Sequence, residues 1–235
     1  MADGIYIGMA GATARAAQLE AISDNLANAQ TVGFKRSEPT FHAFLNEQQS
    51  ADQAYPVAMG SSFDMTEGAS MRTEEKTDVV PNDGAFLAVQ GQNGVAFTRA
   101  GHLTVGGDGV LRTANQPVLD VGGGPIVVAP GRPPPQVRND GTVYSGEERL
   151  GQLATFKLSG PLERLGSQLL KPMQGGTAQA VQTGVRVGEL ELGNSSPLQC
   201  AVQLVSAQRH FESAMQSIQT YRKMDERSNE LGRVR

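Results

Sequence analysis

The residue types in this chain that could do chemistry are three histidines, one cysteine, several turn aspartates and a set of glycine-rich runs. A metal site needs His, Cys or carboxylate side chains at ligand spacing. His42, His102 and His210 fall instead in a connector, a hairpin and a helix, with no such pair among them. A phosphate loop needs a Gly-Lys-Ser/Thr sequence between a strand and a helix start. Neither Gly106-Gly107-Asp108-Gly109 nor Gly122-Gly123-Gly124-Pro125 is followed by one, and both read as hairpin turns. Asp108 and Asp140 also sit in turn sequences, where aspartate bonds its own backbone. A single cysteine cannot make an intrachain disulfide, and Cys200 lies on an apolar helix face, where a buried thiol is expected. No Ser-His-Asp set or carboxylate pair follows from the spacing. The expectation is a chain with no catalytic, cofactor or metal residues.

The elements that carry these residues divide the chain in three. All 12 prolines lie between Pro39 and Pro197, and most glycines lie between Gly84 and Gly193. From Ile5 onward, Met9, Ala12, Ala16, Leu19, Ile22 and Leu26 recur at helical spacing. Asn28, Thr31 and Gly33 then supply a stop, because Gly33 can take the left-handed conformation that ends a helix. Near the other end, Ser196 can cap a helix, Pro197 suits its first position and Gln199 can complete a capping box. Leu204, Phe211 and Ile218 follow every seven residues, with Ala201 and Met215 at intermediate positions on nearly the same stripe, Gln208 interrupting it, and Tyr221 beyond. Gly232 offers an end.

Between the helices, residues 37–77 read as a polar connector with a short helix around Thr40–Gln49. Residues 78–194 read as short strands joined by turns such as Asp83-Gly84 and Asn93-Gly94, whose residues accept positive φ. Closely spaced hairpins predict an antiparallel sheet or small barrel. The fold class expected is α+β. In it, long N- and C-terminal helices (1–36 plus 195–235) pair as a coiled-coil-like layer beside a central antiparallel β-rich domain.

Composition narrows function further. The net charge of −4 comes from interleaved signs, whereas a nucleic-acid platform needs clustered Lys and Arg. Apolar residues make up 39% of the chain and tryptophan is absent, which predicts a modest core and helices that find apolar partners elsewhere. No run approaches the roughly 18 apolar residues of a membrane span, and the acidic Met1-Ala2-Asp3-Gly4 start is unlike a cleaved signal.

The segment Asn25-Leu26-Ala27-Asn28-Ala29-Gln30-Thr31-Val32-Gly33-Phe34-Lys35-Arg36 resembles the N-terminal signature of bacterial flagellar rod and hook proteins. Asp83–Val89, Phe97–Leu103, Asp108–Leu111 and Pro117–Leu119 resemble the central β segment of that family. Gly188–Ser195 resembles its lead-in to the C-terminal helix. Gly193, Ser195 and Ala100 depart from the residues usual there. Ile5–Ala12 and Gly123–Ile126 are more similar to proximal than to distal rod members.

The resemblance implies a basal-body rod subunit of mechanical function, transmitting torque across the periplasm. It implies export by the flagellar type III apparatus without signal cleavage. Expected partners are other rod proteins, copies of the same chain and that export apparatus, with no nucleic acid and no membrane insertion. The assembly interface expected comprises Ile5, Met9, Leu19, Ile22, Asn25, Leu26, Asn28, Phe34, Leu204, Phe211, Met215, Ile218 and Tyr221. A β-domain enzyme or sugar-binding module on a helical dimerisation stalk is the alternative of another class.

Overall fold

The computed structural model describes residues 2–45 and 54–233, with side chains described for 8–40, 62–224, 226 and 227. Two helices bound a strand-rich middle. Helix α1 spans Ala2–Ala27 and helix α2 spans Pro197–Arg233. Alanine and leucine carry α1 as far as Ala27, and Gly33, at φ +72°, turns the chain beyond it. At the start of α2 the Ser196 carbonyl accepts the Cys200 amide at 2.9 Å, and its Oγ lies 3.5 Å from the Gln199 amide. The 37 residues of α2 give a length of about 55 Å. Gly232 lies inside α2 rather than ending it.

By its contacts the chain forms two compact units. The first comprises residues 1–27, 37–62 and 196–235, and the second 28–36 and 63–195.

In the first unit, α1 and α2 run antiparallel. Ile22 meets Cys200 and Ala207, flanked by Leu19, Leu26 and Leu204, while Gly8 lies against the Ile218 side chain. The expected coiled-coil-like helical layer does not form. Each helix has one helical partner, and their contact is a strip lined by small residues such as Gly8, Ala12, Cys200 and Ala207. Among the described residues, the buried and half-buried positions of α2 are Cys200, Leu204, Ala207, Phe211, Ala214 and Ile218. Ala201 and Met215, expected on nearly the same stripe as the larger residues, sit one position off that strip and are exposed.

The expected connector contains strands at Ser37–Leu45, Ala54–Phe63 and Ser70–Arg72. The first two pair as a two-stranded sheet. Thr40–Leu45 is therefore strand rather than helix, because alternating Phe41, Ala43 and Leu45 suit a pleated surface. Positions 46–49 of the expected helix lie outside the described residues.

The second unit is built from antiparallel pairs around a six-stranded sheet. Its strands lie in the order Leu162–Leu165, Leu169–Pro172, Gly94–Thr98, Phe86–Gly91, Thr155–Ser159 and Thr177–Val181. Phe86–Gly91 explains why the sheet holds together. Alternate side chains of a strand point to opposite faces, and here both faces are covered. Leu87 and Val89 enter a core with Val79, Leu103, Leu111, Val118 and Val143. Phe86 and Ala88 enter another with Phe97, Leu119, Leu162 and Leu170. Gly94, at φ +104°, makes the tight turn that returns Gly94–Thr98 beside it, pairing Gly91 with Gly94 and Leu87 with Thr98.

Candidate functional site

The last turn of α1, with the segment that follows it, is where sequence, burial and charge converge. Its first residue of interest, Asn25, bonds both polar groups of one peptide neighbour. Its Nδ2 donates to the Ser37 carbonyl at 2.8 Å and its Oδ1 accepts the Ser37 amide at 2.9 Å. The side chain thus imitates a strand partner for the start of Ser37–Leu45. Asn25→Ala leaves two buried backbone groups unpaired and is expected to destabilise the helical unit by about 1–3 kcal/mol. Hydrogen exchange would register this as faster exchange of the Ser37 amide, and unchanged protection there would contradict the assignment.

Asn28, Thr31 and Gly33 then make the turn. The Asn28 carbonyl accepts the Thr31 amide at 2.9 Å, and the Gly33 amide donates to the Glu191 carbonyl at 2.7 Å. A Cβ on Gly33 would overlap the Ala100 backbone nitrogen. Phe34 is 0% exposed. The Arg164 guanidinium lies 4.2 Å from the centre of its ring and 4.9 Å from that of Phe63, a cation–π placement. Arg164 also donates to the Lys35 carbonyl.

Lys35 begins a buried charge cluster. Its Nζ donates to Glu191 Oε1 at 2.7 Å and to the Thr66 carbonyl at 2.5 Å. The same Glu191 oxygen accepts the Gly68 amide at 3.0 Å. The other, Oε2, accepts Arg99 Nε at 2.7 Å and also Arg99 Nη2. Arg99 Nη1 donates to the carbonyls of Pro81 and Ala85 at 2.9 and 2.5 Å, and Nη2 reaches Glu67 at 3.2 Å. A guanidinium has five N–H donors, and the geometry commits all of them. The two cations and two carboxylates cancel in formal charge. Beside the cluster, Arg36 Nε donates to Asp64 at 2.9 Å and its amide to Asn194 Oδ1 at 2.7 Å, while Asn194 Nδ2 donates to the Asp64 carbonyl at 2.8 Å.

Burial alone would push the Glu191 carboxyl up. The Arg99 charge, the Lys35 hydrogen bond and the Gly68 amide outweigh it and hold the group below the ordinary carboxylate range. Burial pulls the Lys35 ammonium below its ordinary value, against the opposing pull of Glu191. Such a cluster holds five chain segments in register, around Lys35, Thr66–Gly68, Pro81–Ala85, Arg99 and Glu191; its donors and acceptors are already committed to one another.

The residues expected at an assembly interface are scattered by this geometry. Ile22, Asn25, Phe34 and Ile218 are buried within the chain, Leu19, Leu26, Asn28, Leu204 and Phe211 are half-buried, and Met9, Met215 and Tyr221 are exposed. The side chain of Ile5 lies outside the described residues. Sequence reading missed a second apolar row on α2: Leu198, Val202 and Val205, which are 76%, 65% and 53% exposed. With an advance of about 100° per residue, these three lie opposite Cys200, Leu204 and Ala207. The first turns of α2 are therefore apolar on both sides and covered on one. The signal was present in the sequence as spacings of four and three beginning at Leu198.

Elsewhere, His102 Nδ1 lies 2.7 Å from Asp78 Oδ1, His210 is exposed on α2, and the His42 side chain lies outside the described residues. Asp108 and Asp140 each accept an amide two residues on, from Val110 and Thr142, as their turn positions imply. Among the described residues, no three His, Cys, Asp or Glu side chains converge as a metal set, and no helix is long and apolar enough to cross a membrane.

A buried charge cluster whose donors and acceptors are already committed to one another marks a structural scaffold. Comparison with known proteins says which scaffold. Residues 5–35 match the family described as flagella basal body rod protein, and residues 186–231 match the flagellar basal body rod FlgEFG C-terminal family. The chain is 29% identical to the flagellar basal-body rod protein FlgF of Caulobacter vibrioides, over 91% of each chain. It is 27% identical to the FlgF of Mesorhizobium japonicum over 99% of each. It is 26% identical to the rod protein FlgG of Bacillus subtilis over 94% of this chain and 95% of that one. Both matched segments and these near-full-length relatives make the chain similar to flagellar basal-body rod proteins, a family of structural proteins rather than enzymes.

Proposed function

We propose that this chain is a structural subunit of the flagellar basal-body rod, of the proximal FlgF type, and that α2 carries its docking surface for neighbouring rod subunits. The observation that carries the reading is the exposed row Leu198, Val202 and Val205, within the C-terminal region that matches the rod family. A helix apolar on two sides needs a second partner. Met9, Met215 and Tyr221, exposed as well, extend the surface available to neighbours. A contact between unlike patches, repeated by rotation and translation, builds an open tube. Such a tube can carry torque across the periplasm without any chemistry. Export through the flagellar type III apparatus completes the proposal.

Val202→Asp tests this reading. The substitution places a charge on an already exposed position, so the purified chain is expected to unfold at the wild-type midpoint. The same substitution in cells is expected to abolish swimming and to remove the chain from isolated basal bodies. Full motility with Val202→Asp and with Leu198→Asp would overturn the docking assignment.

A further inference from the structure

The two edges of the six-stranded sheet are treated differently. Leu162–Leu165 follows Pro161, carries Glu163 and Arg164, and is tied through Arg164 to the rings of Phe34 and Phe63 and to the Lys35 carbonyl. Proline, charge and a covering segment are the usual protections of a sheet edge. The opposite edge, Thr177–Val181, has no proline and no charge. It pairs on one side with Thr155–Ser159, and among the described residues no strand pairs with its other side. Thr177, Gln179 and Ala180 are exposed, and no charged residue occurs between Lys171 and Arg186. An uncharged, unpaired strand without proline is a template for another strand.

The sequence of this edge indicates which strand. Thr-Ala-Gln-Ala-Val reads nearly the same in both directions about Gln179. We propose that Thr177–Val181 is a homotypic docking surface, at which two copies of this chain pair antiparallel about a twofold axis through Gln179. In that register Gln179 faces Gln179, Ala178 faces Ala180, and Thr177 faces Val181. The two carboxamides can bond each other across the axis, the alanines leave no clash, and Thr against Val places two β-branched side chains together. Ala178 packs with Phe156 and Leu158 on the apolar face of the sheet, so the same face continues into the second copy. An edge without charge offers nothing to a charged partner, whereas self-complementarity is what an isologous contact requires. Such a contact closes on itself and recruits no third copy. It therefore holds free subunits as pairs instead of lengthening a tube, and it stands independently of the rod reading.

Disulfide trapping in the full chain tests the register. Directly opposed residues in an antiparallel pair have Cα atoms about 4.5–5.5 Å apart, within disulfide reach. Gln179→Cys is expected to give a cross-linked dimer under mild oxidation. Thr177→Cys, exposed on the same face but opposed to Val181, is expected to give none, although mixing it with Val181→Cys restores the link. Wild type, with only the buried Cys200, reports any background. Gln179→Lys sets like charges face to face and is expected to weaken dimerisation by about tenfold in analytical ultracentrifugation. The proposal is overturned if Gln179→Cys cross-links no faster than Thr177→Cys, or if Gln179→Lys dimerises as wild type does. A wild-type chain that stays monomeric at all concentrations overturns it too.

Discussion

Glu191→Ala is expected to lower the stability of the strand-rich unit by about 3–5 kcal/mol, the cost of breaking a buried ion pair by removing one partner. The magnitude follows from what remains. Arg99 and Lys35 have side chains 0% and 2% exposed, and without Glu191 they face each other with only half-exposed Glu67 as counter-charge. The Gly68 amide loses its acceptor as well. Chemical denaturation of wild type and mutant, followed by a probe in the β unit, measures the difference. Glu191→Gln keeps the shape and one acceptor but sets an NH2 donor against either Arg99 or Lys35 and Gly68, so it removes the charge together with half of the accepting capacity.

The acid limb of the stability curve gives an independent reading. The folded carboxyl titrates below its ordinary value of 4.5. The unfolded chain therefore takes up this proton first, and the stabilisation is fully present above that pH. It fades as pH falls through the lower, folded value. Glu191→Gln should flatten that part of the curve while leaving the rest of its shape in place. Parallel acid limbs for the two proteins would show that Glu191 is not the group responsible.

Gly33→Ala is the second large effect. Its φ of +72° is a conformation costly to any residue with a Cβ, by about 1–2 kcal/mol. The added methyl would also meet the backbone of Arg99 and Ala100, and forcing atoms into a packed site costs a further 1–3 kcal/mol or so. Backbone cannot move aside as a side-chain tip can. Relief requires the segment to lift, which lengthens the bond from the Gly33 amide to Glu191 and carries Lys35 away from its carboxylate. The two mutations therefore disturb one structure, and a double mutant should lose less than the sum of the single losses. Strict additivity would separate the turn from the charge cluster.

Local signals in the sequence located both helices, because caps and apolar spacing are properties of neighbouring residues. They located hairpins such as that at Asn93-Gly94 for the same reason. They failed where the deciding contact is distant. Leu190-Glu191-Leu192 reads as an alternating strand with its glutamate in water, and only the arrival of Arg99 and Lys35 from far along the chain makes the inward position stable. Ser37–Leu45 reads as a connector because its pairing partner lies beyond an intervening segment. Pro135–Val137 is a strand concealed by the prolines before it. The repeat of Leu204, Phe211 and Ile218 was legible, but which residues lie between them was not. Small size rather than hydrophobicity selected Ala207 and Ala214 over the larger Met215. That same smallness is why the helices meet along a strip and form no layer.

The position of the charge cluster along the chain has a mechanical corollary. The polypeptide leaves the strand-rich unit beside Asn28, Arg36, Phe63 and Ser195. Arg36, Asp64 and Asn194 are bonded directly to one another, and Lys35 and Glu191 lock the residues next to them. The exits are thus gathered in a collar. A pull arriving along any one strand is shared by the others before it reaches the sheet. Several of these bonds must give way before one exit can part from the others, so the strand-rich unit resists at the collar instead of unravelling from one end.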